Sequence, residues 1–211
     1  MKFIHSGRNL FICRDLLIFD DRDCYYQYNI NVGLIEISSN QYLTYKYGNE
    51  HQKLQKKLSN ELQLYNFGRN CDGAIILSCF QESMIRIFNK TYDLLWEDIK
   101  QELFIDTIYD VKIEKDCFWV AYPTAQMVIK YSLNNKQKLL ELTETEGLCY
   151  PESLSLWEGH LYICNMGSKE LLTLDANNKI NVAIKFEEPI WEYAKTTQDE
   201  YVKLESGIYF R

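Results

Sequence analysis

Five stretches of the chain repeat one pattern: a strand, a short polar break, then a second strand. They are Gly33–Ile37 with Tyr42–Tyr45, Ile75–Leu77 with Met84–Phe88, Phe118–Ala121 with Met127–Tyr131, Leu161–Cys164 with Leu171–Leu174, and Tyr201–Leu204 with Ile208–Phe210. Their leading residues stand 42, 43, 43 and 40 positions apart. A recurrence in the low forties, with about four strands per unit, predicts an all-β fold, a β-propeller. Five such units fill 211 residues, so the expectation is one five-bladed domain over 1–211. Each unit needs its neighbours to bury its two faces, which argues against smaller separate domains.

The clearest unit has four strands. Tyr109–Ile113 alternates apolar residues onto one face and is the inner strand. Phe118–Tyr122, Met127–Ser132 and Gln137–Thr143 follow, with a turn at Asn134-Asn135. The next unit copies it, with Ser153–Leu156 as inner strand and a turn at Asn177-Asn178, 43 residues after the first Asn pair. Pro151 and Pro189 each precede an inner strand, where a missing N–H is tolerated. The second unit spans Asn66 to Asp98, and the first begins near Tyr25. Between them, Leu54, Leu58, Leu62 and Tyr65 recur at helical spacing, which predicts a short helical insertion near 50–65. The fifth unit, from Trp191, runs to Arg211 with about three strands. A strand from Asn9–Phe19 is therefore expected beside Ile208–Phe210, closing the ring with N- and C-terminal strands and removing free edges.

Composition narrows the function. Seven cysteines, an odd number without close pairing, suit free thiols in a reducing cytoplasm. Met1–Leu17 is interrupted by Lys2, His5, Arg8, Arg14 and Asp15, and no apolar run reaches membrane-spanning length, so neither leader nor membrane association is expected. A net charge of −7 argues against direct nucleic-acid binding, which needs clustered Lys and Arg. His5, His51 and His160 have no nucleophile setting beside them, and no phosphate-cradling glycine loop is present. No catalytic residue and no cofactor is assigned.

Pro151-Glu152-Ser153-Leu154-Ser155-Leu156-Trp157-Glu158-Gly159-His160-Leu161-Tyr162-Ile163-Cys164-Asn165, continuing to Leu172-Thr173-Leu174-Asp175, resembles an NHL repeat. It is also similar to a blade of the gluconolactonase (senescence-marker) propellers, whose repeats start with proline, carry a turn glycine before an apolar strand and end a later strand in Asp. The resemblance implies a propeller. For the lactonase-like family it also implies a hard divalent cation on oxygen ligands, a set that Glu152, Asn165 and Glu192 would supply here. A metal-dependent propeller hydrolase or lactonase is the alternative function on that ground.

The leading reading rests on three clusters in which carboxylates precede aromatic residues. Asp20, Asp21 and Asp23 run into Tyr25 and Tyr26; Glu144 and Glu146 precede Tyr150; Glu187 and Glu188 run into Trp191 and Glu192. Loops leading into inner strands converge on one face of a propeller. Aromatic anchors ringed by carboxylates suit a basic protein partner. The expected function is a non-enzymatic, cytoplasmic, protein-binding propeller, monomeric when free. Its specific form is an immunity or inhibitor protein that neutralises a basic toxin such as a nuclease.

Overall fold

The computed structural model describes residues 1–49, 52, 65–69, 75–79, 84–88, 93–97 and 108–211. After β1 (Lys2–His5), the first sheet contains β2 (Arg8–Cys13), β3 (Leu16–Asp21), β4 (Cys24–Asn29) and β5 (Gly33–Ile37). Helix α1 (Ser39–Tyr47) follows. The second sheet is β6 (Tyr65–Arg69), β7 (Ile75–Cys79), β8 (Met84–Phe88) and β9 (Leu94–Glu97). The third is β10 (Asp110–Glu114), β11 (Cys117–Tyr122), β12 (Met127–Ser132) and β13 (Lys138–Leu142). The fourth is β14 (Pro151–Trp157), β15 (His160–Asn165), β16 (Glu170–Leu174) and β17 (Ile180–Lys185). The last is β18 (Ile190–Lys195), β19 (Glu200–Leu204) and β20 (Gly207–Phe210), to which β1 adds a fourth strand.

Every pairing within these five sheets is antiparallel and, apart from the β1–β20 pair, joins strands consecutive in sequence, so hairpin turns set the register. Arg14-Asp15 and Glu158-Gly159 are two-residue turns with both φ angles positive, the geometry that matches the twist of paired strands. The first strands touch in succession, β6 with β10, β10 with β14, β14 with β18 and β18 with β2, which makes them the inner strands.

Apolar clusters lie between sheets. Trp119, Ala121, Val128 and Leu142 of the third meet Leu154, Leu161, Ile163 and Leu172 of the fourth. Cys164 and Leu171 of the fourth meet Ile190, Tyr193, Val202 and Leu204 of the last. Leu17, Phe19 and Tyr28 of the first meet Ala194, Tyr201 and Ile208 of the last. Burying a Leu or Ile side chain contributes about 1.5–3 kcal/mol, so these seams hold the sheets together.

Three expectations are corrected. First, the strand that completes the last sheet is Lys2–His5, with Lys2 opposite Phe210 and Phe3 opposite Tyr209. Residues 9–19 are instead within the first two strands of the first sheet. The chain crosses between the two sheets at Gly7, where an added Cβ would lie 2.5 Å from the Phe19 ring and 2.7 Å from the Asp20 carbonyl oxygen.

Second, the first sheet starts at Arg8, and Gly33–Ile37 is its outermost strand. The strand matching Ile75–Cys79 is Leu16–Asp21, 59 residues earlier by its first residue, so the 42-residue step there was out of register.

Third, Tyr42–Tyr45 is helical. The Gln41 N–H donates to Ser38 Oγ (3.2 Å), and Gly48, with φ of 91°, donates its N–H to the Thr44 carbonyl (2.9 Å). These caps satisfy helix-end groups that β-prone tyrosines alone would not have organised. The helix expected near 50–65 lies outside the described residues, apart from positions 52 and 65, and Tyr65 opens a strand.

Helix α1 covers the face of the first sheet opposite the last sheet. Tyr42, Leu43 and Tyr45 pack there on Phe11, Cys13, Leu16, Ile18, Tyr25 and Ile37. None of the described helices is long and apolar enough to cross a membrane. The five cysteines whose side chains are described are free thiols.

Candidate functional site

The end at which the inner strands begin gathers carboxylates from sheets far apart in sequence. Asp110 opens β10, Glu152 is the second residue of β14, and Glu192 is the third of β18. Asp110 Oδ2 accepts the Leu154 N–H of the next inner strand (2.8 Å), and its Oδ1 pairs with Lys112 Nζ (2.7 Å). Glu192 does the same two steps around: its two oxygens accept the N–H groups of Asn9 (3.0 Å) and Leu10 (2.6 Å) on β2. Between them, Ser153 Oγ donates to the Trp191 carbonyl (2.7 Å). Neighbouring inner strands are too far apart for a ladder here, and carboxylates satisfy the freed N–H groups.

A bulge helps to aim these groups. Pairing slips between Pro151 and Ser153, between Ile190 and Glu192, and between Arg8 and Phe11, always near the start of an inner strand. A bulge re-aims side chains and releases backbone donors from the ladder.

Burial and like charge dominate the electrostatics. The Glu152 carboxyl is pushed up to about 7 by burial, then by the charges of Glu192 and Asp110. Its Oε2 is enclosed and accepts no hydrogen bond. Burial also pushes Glu192 up to about 7, against the two N–H donors of Leu10 and Asn9, with Asp110 and Asp20 adding to the rise. Asp20 accepts from Arg8 Nε (3.3 Å), Asn9 Nδ2 (2.7 Å) and the Tyr42 hydroxyl (3.1 Å).

Helix α1 sends Lys46 into the same region. Its ammonium lies 5.7 Å from the Tyr42 ring centre and 5.5 Å from that of Tyr47. Burial holds the Lys46 pKa down, while Asp20 and Glu192 act to raise it.

The structure separates the residues expected from sequence. Asp20 and Asp21 end β3, and Asp23 lies in the β3–β4 hairpin, so this cluster is not in a loop leading into an inner strand. Tyr25 packs on Tyr42 of α1 (ring centres 4.5 Å apart) and Tyr26 on Phe19 (5.4 Å), on opposite faces of the first sheet. Glu144 and Glu187 are exposed in the loops before β14 and β18, as expected. Glu146 is engaged at Thr143, whose N–H it accepts (2.8 Å). Glu188 accepts the Ser206 N–H (2.8 Å), and Trp191 donates from its indole to Glu205 (2.9 Å). Tyr150 meets Tyr109 edge to face.

The Glu188–Ser206 and Trp191–Glu205 contacts tie the entry into β18 to the second-to-third hairpin of the same sheet, so both share one end. Asn165 does this for the fourth sheet, accepting from the Cys149 N–H (2.7 Å) and donating to the Gly147 carbonyl (3.1 Å). It is wholly buried, with its side-chain oxygen and nitrogen both engaged in hydrogen bonds. Among the described residues no three His, Cys, Asp or Glu side chains gather to hold a metal ion.

Lys46 and Tyr47 were missed because their segment reads as strand. The signal was the Ser38-x-x-Gln41 pattern of a helix start.

No family profile matches the chain, and no curated protein is similar to it in sequence. Solved structures are similar to it in fold. Virginiamycin B lyase from Staphylococcus aureus superposes with a TM-score of 0.56 at 10% identity, over 97% of this chain and 64% of the lyase. The WD40 β-propeller domain of Doa1 gives 0.55 at 8% identity, over 95% of this chain and 61% of that one. The fold is a β-propeller. Myxococcus xanthus glutaminyl cyclase gives 0.54 at 6% identity, over 100% of this chain and 94% of the cyclase. The chain thus spans under two thirds of the lyase and nearly all of the cyclase. At these identities the likeness concerns fold alone, and the neighbours include both enzymes and a scaffold domain. The NHL and gluconolactonase families do not appear among the three neighbours described.

Proposed function

We propose that residues 1–211 form one closed five-bladed propeller that acts as a non-enzymatic, cytoplasmic binding protein, monomeric when free, for a basic protein partner. Four contacts between consecutive inner strands and the β1–β20 pairing support closure, as does a propeller of similar length among the solved structures. The observation that carries the function is the gathering of Asp20, Asp110, Glu152 and Glu192 at one end. Exposed Asp23, Glu144 and Glu187 rim that same end. Like-signed carboxylates on one end focus an attractive field for a cationic surface and raise its association rate. Neutralising a basic toxin, such as a nuclease, is the specific form of this role.

The test uses the chain as bait in a lysate of its own host, beside a D23K/E144K/E187K variant. The expected result is capture of a basic protein by the wild type, weakened by added salt and lost in the variant. Capture that is indifferent to the three reversals, or of acidic proteins alone, sinks the reading.

A further inference from the structure

The outermost strand of a sheet leaves backbone N–H and C=O groups unpaired, and natural sheets blunt such edges with bulges, lysines or prolines. Four of the five outer strands here are blunted in that way. Pairing slips where β1 joins β20, β9 joins β8, β13 joins β12 and β17 joins β16, and Lys2, Lys138 and Lys185 lie on three of those strands. β5 is the exception. It pairs with residues 25–29 of β4 without a slip, contains no Lys or Pro, and has no strand on its other side among the described residues. Its hairpin also carries Ile30, Val32, Leu34 and Ile35, four of the nine large apolar side chains exposed among the described residues. Helix α1 leaves this edge open, since Leu34, Ile35 and Glu36 are exposed with the helix in place.

The two faces of β5 differ, and they define what can pair with it. Leu34 and Glu36 share the face of Tyr26, and Glu36 and Asp21 both lie within electrostatic reach of the Tyr26 hydroxyl. Ile35 is on the other face, opposite Gln27, whose side chain accepts from the Tyr45 hydroxyl of α1 (3.2 Å). No Lys or Arg occurs between Arg22 and Lys46. An added strand therefore meets carboxylates on one face and apolar surface on the other.

We propose that β5 is a docking edge for an extended segment of a basic protein, in which Lys or Arg alternates with apolar residues and which adds a fifth strand to the first sheet. Backbone hydrogen bonds supply the affinity of such a contact, and side-chain alternation supplies its selectivity. The cations face Glu36 and Asp21 with their aliphatic stems along Leu34, while the apolar residues face Ile35. A second copy of this chain is a poorer occupant, because it brings the same Glu36 edge and a net charge of −7. β5 is the strand of its sheet farthest from the inner strand β2, so this contact goes beyond the reading of the acidic end and stands without it.

The probe is the peptide KVKVKVK, added to the full chain and followed by amide hydrogen exchange and calorimetric titration. Tetralysine, equal to it in side-chain charge, is the control. The expected result is saturable binding of the alternating peptide, with slowed exchange confined to residues 33–37, and no such protection by tetralysine. Affinity should fall about tenfold in Leu34→Lys, which supplies the lysine that other edges carry. It should fall about threefold in Glu36→Gln, which removes an exposed charge. E144K/E187K should bind the peptide as the wild type does. Loss of binding in that variant places the peptide at the acidic end and overturns the edge. Absence of binding, protection elsewhere, equal protection by tetralysine, or undiminished binding by Leu34→Lys overturns it as well. Self-association of the chain through residues 33–37 without peptide makes a second copy the occupant, and likewise overturns the proposal.

Discussion

Glu152 sits among like charges, so removing its charge should stabilise the fold. Its folded-state pKa is about 7 against an ordinary 4.5. The folded state therefore holds its proton more tightly than the unfolded chain. The associated stability is complete below about pH 4.5 and is lost as pH rises to about 7. Discounted for partial exposure, the ionised side chain costs about 1–2 kcal/mol. Glu152→Gln should raise the Tm at pH 8 by several degrees and leave it almost unchanged at pH 4.5, as followed by circular dichroism. Asp110 has the opposite character, since it holds the Leu154 N–H and Lys112 together. Asp110→Ala orphans a buried donor and a cation, and should cost about 2–3 kcal/mol in denaturant unfolding. Both acidic residues could be placed at inner-strand starts from sequence alone. Their opposite roles could not, because the difference is one hydrogen-bond donor contributed by a strand 44 residues away.

At the scale of elements, α1 shows where reading the sequence misleads. Tyr42, Tyr45 and Tyr47 favour strands, yet Ser38 and Gly48 supply caps that close nine residues into a helix. Ser38→Ala should cost about 1 kcal/mol. It should also loosen Lys46 and Tyr42, seen as weaker amide protection over residues 39–47. Strands with local turn signals were legible. The Asn-Asn turns fall between third and fourth strands in the third and fourth sheets, and the inner strands expected near 109–113 and 153–156 are present. The first sheet was not legible, because its Asp-rich hairpin at 21–23 resembles a loop between sheets. Gly7→Ala tests its true start. The new methyl would collide with the Phe19 ring and the Asp20 carbonyl, costing about 1–3 kcal/mol in thermal unfolding.

For the whole molecule, the pairing of β1 with β20 covers an edge that would otherwise lie open. A chain lacking residues 1–6 should keep its other sheets but associate at micromolar concentration, detectable by light scattering. A monomeric truncated chain would refute this protective role for β1. The sequence by itself determined the four-stranded period and the strands of the third and fourth sheets, because alternation and turn chemistry are local properties. Only the tertiary structure decided which N-terminal strand completes the last sheet, which face of the first sheet α1 covers, and which carboxylates meet. Those outcomes depend on contacts such as Glu192 with Asn9, 183 residues apart, which no local pattern encodes.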